Sequence, residues 1–187
     1  MKITVIGTGY VGLVTGSCFA YVGNHVTCVD IDSSKIYNLN KGFIPIFEPG
    51  LEKIIKESRD KELLCFSTDI EEAIKESSII FITVGTPQNK DGSANLEFVF
   101  NVSENIGKYI KSEQVVVTKS TMPVGSTMKV KELIDNQIYK RNENIKYSIC
   151  NNPEFLKQGK AVSDFMSPDR IIIGVENDSN NNTLKDL

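Results

Sequence analysis

A chain of 187 residues is long enough for one full domain with a substantial core and short for two. It is 40% apolar and 24% charged, with a net charge of −3, which leaves no basic footprint for nucleic acid or an anionic membrane surface. The first β-rich run begins at Lys2, leaving no room for a signal peptide, and no apolar run approaches the ~20 residues that span a bilayer, so the expected compartment is the cytoplasm.

Lys2-Ile-Thr-Val-Ile6 is a short β-rich run that breaks at Gly7-Thr8-Gly9-Tyr10-Val11-Gly12. A helix-period segment follows (Leu13, Ser17, Phe19, Ala20), then a second β-rich run from His25 to Val29 that stops on Asp30. Each part has a job in holding a dinucleotide. Gly7 lets the chain turn tightly off the strand, Gly9 lets backbone approach a pyrophosphate, and Gly12 lets the helix pack on the strand. The helix N-terminus offers free N–H groups and a positive dipole end. Asp30, eighteen residues past Gly12, falls where a carboxylate can accept both ribose hydroxyls.

Glycines at this spacing also occur in ordinary loops. Here they follow a strand, open a helix and are answered by an acid, so the motif predicts a dinucleotide site. Gly7, Gly9, Tyr10, Val11, Gly12 and Asp30 are its first candidate contacts. A carboxylate repels a 2′-phosphate, and Ile31 to Ser34 brings no arginine. NAD is therefore expected over NADP.

From Ser33 to about Lys41 the spacing of Ile36 and Leu39 predicts a helix capped by Ser33 or Ser34. Lys35, five residues past Asp30, can reach the same ribose edge; a solvated helix lysine is the alternative. Gly42 to Phe47 is an apolar loop. Glu48-Pro49-Gly50-Leu51 starts another helix, with Pro49 suited to its first turn. Leu63 to Phe66 reads as a third strand. Asp69 can cap a short helix carrying Ala73 and Ile74, and Ser78 to Val84 is a nearly continuous apolar strand ending at Gly85-Thr86-Pro87.

A polar loop, Gln88 to Ser93, leads to a helix from about Leu96 to Ile110. A fifth strand, Gln114 to Thr118, runs into Lys119-Ser120-Thr121. A helix with Val130, Leu133, Ile134 and Ile138 precedes a sixth strand, Lys146 to Cys150. Asn151 to Gly159 reads as a loop and Ile171 to Val175 as a last strand. Asn177 to Asn182 is a polar cluster, and Thr183 to Leu187 looks like the start of a helix.

This alternation predicts an α/β fold, a doubly wound and mainly parallel sheet of Rossmann type with strand order 3-2-1-4-5-6. Ligands in such sheets collect beyond the carboxyl ends of the strands, where the order reverses. The segments there are Gly7 to Gly12, Gly85-Thr86-Pro87, Lys119 to Thr121 and Asn152 to Glu154. Cys18, Cys28, Cys65 and Cys150 are scattered without C-x-x-C spacing, so buried reduced thiols are expected rather than disulfides or a metal site. His25, the single histidine, follows Gly23-Asn24 and reads as a turn or edge residue.

Taken together, six segments resemble the UDP-glucose/GDP-mannose dehydrogenase family: Gly7 to Leu13, Glu48 to Leu51, Val84 to Pro87, Lys119 to Thr121 with Pro123 to Gly125, Asn152 to Leu156, and Pro168 to Arg170. They occur in order across nearly the whole chain. Within the family, Gly85 to Ser93 looks most like the UDP-glucose 6-dehydrogenase branch. The resemblance implies two-step oxidation of the C6 alcohol of UDP-glucose to the uronate with NAD, and no release of the aldehyde. It implies that Thr121 lies beside nicotinamide and substrate, with Gly85, Thr86 and Pro87 on the cofactor. Glu154 becomes the carboxylate that activates a water for thioester hydrolysis. Phe155, Leu156 and Lys157 then help to hold the nucleotide sugar. Without the resemblance, Asn152 to Glu154 reads as a turn with a solvated acid.

Two departures stand out. Gln158 replaces the family's glutamate at a position associated with cofactor and substrate contacts, and an amide cannot serve as a base. The family's nucleophilic cysteine sits in a Gly-Gly-x-Cys context in the second half of the protein. None of the four cysteines here has that context. Residues 1–187 are accordingly expected to be an NAD-binding domain without the central helix or the catalytic-cysteine domain, inactive alone, from a full-length homo-oligomer. A non-catalytic module binding NAD or nucleotide sugar, or a relative acting on GDP-mannose or UDP-N-acetylmannosamine, remains an alternative.

Overall fold

The computed structural model describes residues 1–175. Six parallel strands form the sheet: β1 (Lys2–Ile6), β2 (His25–Val29), β3 (Leu64–Ser67), β4 (Ile79–Ile82), β5 (Val115–Thr118) and β6 (Ser148–Asn151). A two-residue strand, β7 (Gly174–Val175), closes one edge antiparallel to β6. The order is β3-β2-β1-β4-β5-β6-β7. The sequence of strands therefore reverses between β1 and β4, and every parallel strand delivers its carboxyl end to the same side.

Helices α1 (Tyr10–Tyr21), α2 (Ser33–Asn40), α3 (Leu51–Asp60), α4 (Ile70–Glu76), α5 (Glu97–Tyr109), α6 (Ser126–Lys140) and α7 (Ala161–Met166) complete the described chain. Strand periodicity explains how one run of apolar residues feeds two cores. Ile79 and Phe81 join Leu13, Val14, Leu39 and Ile54 on the face of α1, α2, α3 and α7. Ile80 and Ile82 join Ile74, Val99, Ile106 and Ile134 on the face of α4, α5 and α6. Successive strand side chains point to opposite faces, so a strand covered on both sides loses its polar alternation. α1 is the extreme case on the helical side: every residue from Gly12 to Ala20 is buried, because the helix lies between the sheet and both α3 and α7.

Several boundaries differ from the sequence reading, for local reasons. Asp32, rather than Ser33 or Ser34, caps α2: its Oδ1 accepts the Ser34 and Lys35 amides, each at 3.0 Å. A carboxylate outcompetes a hydroxyl there because it also meets the positive end of the helix. Pro49 lies outside α3, which begins at Leu51 after Gly50 turns left-handed at φ +83°. Asp69 does cap α4, accepting the Glu72 amide at 2.9 Å. The strand expected over 171–175 keeps only its last two residues, and α7 forms where the sequence pattern predicts no element. His25 is the exposed first residue of β2. The polar cluster at 177–182 and the helix start at 183–187 lie outside the described residues. Among the described residues no helix is long and apolar enough to cross a membrane.

Candidate functional site

The glycine loop leaves the end of β1 at the point where the strand order reverses. Gly7 has φ +104°, and a Cβ there would stand 2.9 Å from the Val84 amide nitrogen; both conformation and contact demand glycine. At Gly12 a Cβ would lie 1.8 Å from the Gly7 carbonyl oxygen and 2.5 Å from Thr83 Oγ1. That hydroxyl shares its proton between the carbonyls of Ile6 and Gly7, each at 2.9 Å, so the residue just past β4 pins the turn. Gly9 is different. No heavy atom lies within 4 Å of its Cβ position, and its backbone faces open space. The first bond of α1 runs from the Leu13 amide to the Gly9 carbonyl at 2.9 Å, which leaves the amides of Tyr10, Val11 and Gly12 at the open end of the helix. An open backbone beside free amides fits a pyrophosphate.

Asp30 follows β2 and is tied to the glycine loop. Its Oδ2 accepts the Thr8 amide at 2.8 Å, the Thr8 hydroxyl at 2.7 Å and the Lys35 ammonium at 2.9 Å. Its Oδ1 accepts the Asp32 amide at 3.1 Å. Burial pushes this carboxyl up, but the bonds from Lys35, Thr8 and Asp32 outweigh burial and hold it at about 2. The carboxylate is thus fixed and ionised, and Oδ1, with one donor, is the oxygen with room for a ribose hydroxyl. Lys35 meets Asp30 itself. Thr8, to which the glycine motif itself gives no role, fixes the acid in place.

Across the reversal point the loops after β4 and β5 are stitched together. The Thr86 hydroxyl donates to the Thr121 carbonyl at 2.8 Å, and the Ser120 hydroxyl to the Val84 carbonyl at 2.6 Å. Thr121, Gly85 and Pro87 are exposed, so this seam faces outward.

Beyond β5 and β6 a cavity of about 660 Å³ is lined by Lys119, Asn152, Glu154 and Leu156 over an apolar floor that includes Phe19 and Phe81. Lys119 is 7% exposed and donates to Asn152 Oδ1 at 3.0 Å. Burial drives its ammonium down to about 8, against an opposing pull from the Glu154 carboxylate. Glu154 Oε2 accepts the Leu156 amide at 2.7 Å. Leu156 packs on the core, while Phe155, Lys157 and Gln158 are exposed. Arg170 stacks over the Phe155 ring, 5.2 Å from its centroid.

The sequence places Glu48 at a helix start, whereas it precedes α3 and is buried. It is 5% exposed, and its Oε2 accepts the Tyr10 hydroxyl and the Gly159 amide at 2.8 Å. Its Oε1 accepts the Ala161 amide at 2.8 Å. Burial pushes Glu48 up, yet these donors, Tyr10 first, more than reverse it, and its carboxyl lies below the usual range. A charged residue inside an apolar loop just before Pro-Gly was the available signal.

Three thiols are buried as expected. Burial lifts Cys18 to about 12 and Cys150 to about 11, and it pushes Cys28 higher still. Cys65 corrects the expectation: it is exposed. β3 is the edge strand, and Cys65 alternates outward between buried Leu64 and Phe66. β2, β1 and β4 separate it from the loops after β5 and β6.

A family model described as the UDP-glucose/GDP-mannose dehydrogenase family, NAD binding domain, matches residues 1–187. The UDP-glucose 6-dehydrogenase YwqF of Bacillus subtilis is 47% identical over the whole chain, which spans 42% of that relative's length. Among solved structures, a ternary complex of GDP-mannose dehydrogenase from Pseudomonas aeruginosa superposes with a TM-score of 0.94 at 35% identity, covering 100% of this chain and 43% of that one. A UDP-glucose dehydrogenase from Pyrobaculum islandicum gives 0.90 at 36% identity, covering 99% and 43%. The chain spans about two fifths of the length of the curated relatives it matches.

Proposed function

The chain belongs to the UDP-glucose/GDP-mannose dehydrogenase family, with NAD as cofactor, and from this premise we propose that it is the NAD-binding domain of a UDP-glucose 6-dehydrogenase. The whole enzyme, a cytoplasmic homo-oligomer in this reading, oxidises UDP-glucose to UDP-glucuronate in two steps. The observation that carries the proposal is the convergence of three loops at the reversal of strand order: the open glycine turn, the fixed Asp30 carboxylate, and the Thr86–Thr121 seam. UDP-glucose is favoured over GDP-mannose by the branch-like segment Gly85 to Ser93 and by relatives such as the Bacillus enzyme.

Gly7, Gly9, Tyr10, Val11 and Gly12 cradle the pyrophosphate, Asp30 takes the adenosine ribose, and Lys35 holds Asp30. Gly85, Thr86 and Pro87 would border the nicotinamide side, and bound NAD would supply the hydride acceptor for oxidation of the sugar. Thr121 holds a water or the reacting oxygen there. Glu154 takes a proton from the water that hydrolyses the enzyme-bound thioester, a general-base role worth typically ~10²–10⁴ in rate. Phe155, Leu156 and Lys157 hold the nucleotide sugar. Gln158 contributes hydrogen bonds in place of charge.

The thioester requires an activated thiolate near C6, which needs exposure and a lowered pKa. Cys18, Cys28 and Cys150 are buried with raised thiols, and Cys65 lies on the far edge of the sheet. That geometry supports a nucleophile supplied by the remaining length of the protein. It also favours a second reading, in which the chain alone acts as a nucleotide-binding module. Calorimetry with NAD, NADP and UDP-glucose, alongside turnover measured by reduced-cofactor absorbance, tests the binding and separates the two readings.

A further inference from the structure

Glu48 occupies a position that the reaction scheme does not use. A carboxylate that is 5% exposed is costly unless its oxygens are satisfied. Here the donors come from two distant places. Tyr10 is the first residue of α1, inside the glycine turn. Gly159 and Ala161 lie more than a hundred residues later, at the end of the Asn152–Gly159 loop and the start of α7. The same oxygen, Oε2, takes both Tyr10 and Gly159. The Tyr10 hydroxyl also lies 3.4 Å from the Lys157 carbonyl. Burial and the neighbouring carboxylate push this phenol up to about 12, so it stays a donor at any working pH.

The surroundings make the bridge stiff. α7 is held against α1 by Phe165 and Phe19, whose rings meet edge to face with centroids 5.0 Å apart. Val162 reaches to within 3.8 Å of the Cβ position of Gly50, so the Glu48-Pro49-Gly50 turn is packed on the helix it bonds.

We propose that Glu48 is a positioning residue that couples occupancy of the glycine turn to the ordering of the 157–162 segment beside the candidate sugar site. The inference rests on the nucleotide reading of that turn. NAD bound at Gly9 to Gly12 fixes Tyr10, Tyr10 fixes the Glu48 carboxylate, and the carboxylate holds the Gly159 and Ala161 amides. By linkage, a nucleotide sugar that orders the same segment strengthens NAD binding in return.

Amide hydrogen exchange on the chain with and without saturating NAD tests the coupling. The expected result is slowed exchange at residues 7–13 and, several-fold, at 157–162. Tyr10→Phe separates coupling from structure: Glu48 keeps its bonds to Gly159 and Ala161, and with NAD raised until 7–13 is slowed as in wild type, the protection of 159 and 161 remains while the NAD-induced slowing at 157–162 is lost. Glu48→Gln loses both. NAD slowing 7–13 but leaving 157–162 unchanged in the wild type overturns the inference, as does full remote slowing in Tyr10→Phe. No slowing at 7–13 in the wild type overturns the NAD reading itself, and the inference with it.

Discussion

Thr8 and Asp30, twenty-two residues apart, are joined twice: the Thr8 amide and hydroxyl both donate to Asp30 Oδ2, at 2.8 and 2.7 Å. The glycine turn and the acid after β2 are therefore one rigid unit before any ligand arrives. Lys35 adds a third donor to the same oxygen, while Oδ1 accepts only the Asp32 amide. Such preorganisation lowers the ordering cost of binding.

Asp30→Ala removes both the acceptor and the lock on Thr8. Charge-assisted hydrogen bonds are worth roughly 1.5–3 kcal/mol, so NAD affinity should fall roughly ten- to a hundred-fold. NADP binding, which gains nothing from this carboxylate, should change less. Calorimetry on wild type and variant checks both; equal wild-type affinity for the two cofactors contradicts the assignment.

The same bonds make stability depend on pH. Asp30 titrates at about 2 when folded, against an ordinary 3.8, so between these values the unfolded chain binds more protons. Stability from this group is fully present above the unfolded value and lost as pH falls through the folded one. The contribution is on the order of 2 kcal/mol. Urea unfolding at pH 5 and pH 2 should show the gap between wild type and Asp30→Asn narrowing in acid. A gap independent of pH counts against the bonding pattern.

Gly9 and Gly12 should behave oppositely on substitution. Gly12→Ala drives a methyl into the Gly7 carbonyl, which is backbone and cannot rotate away. Overpacking of this kind costs about 1–3 kcal/mol, a fall of roughly 2–12 °C in Tm for a domain of this size. Gly9→Ala meets nothing within 4 Å at a φ of −70°, and its stability should stay within about 0.5 kcal/mol of wild type. Its NAD affinity should still drop if the open space at Gly9 is where the pyrophosphate approaches, as proposed. Thermal melts with and without NAD distinguish the pair.

The parallel sheet, its order and the glycine turn were legible because strand and helix periods alternate and because a buried strand such as Ile79 to Ile82 has no polar face. What escaped was long-range polar pairing. Thr8 looks like a spacer, and Glu48 looks like a helix start, until folding brings Asp30 beside one and Gly159 beside the other. α7 escaped because only Ala161 among its six residues is buried, too little for a helical stripe. Cys65 departs from the expected burial because an apolar run does not announce that its strand lies at an edge. Lys119 stands in the Lys119-Ser120-Thr121 segment, but its burial is tertiary.

Lys119 and Glu154 face the same cavity without forming an ion pair. Burial lowers the ammonium to about 8 and Glu154 pulls it upward. Glu154→Gln should therefore lower the Lys119 pKa further, read from the lysine Cε shift by NMR; a rise or no change contradicts the electrostatic arrangement. Because the folded value is depressed, stability should increase as pH climbs from about 8 toward the unfolded value of 10.5, where the cost of burying this charge disappears.

The most direct test is to incubate the purified chain with NAD and UDP-glucose while following reduced-cofactor absorbance, with a parallel NAD melting series. The expected result is a rise in Tm that grows with NAD concentration and no turnover, since no exposed cysteine stands near the loops after β5 and β6. Sustained turnover, or a Tm indifferent to NAD, would contradict the assignment of this chain as an NAD-binding domain that draws its nucleophile from elsewhere.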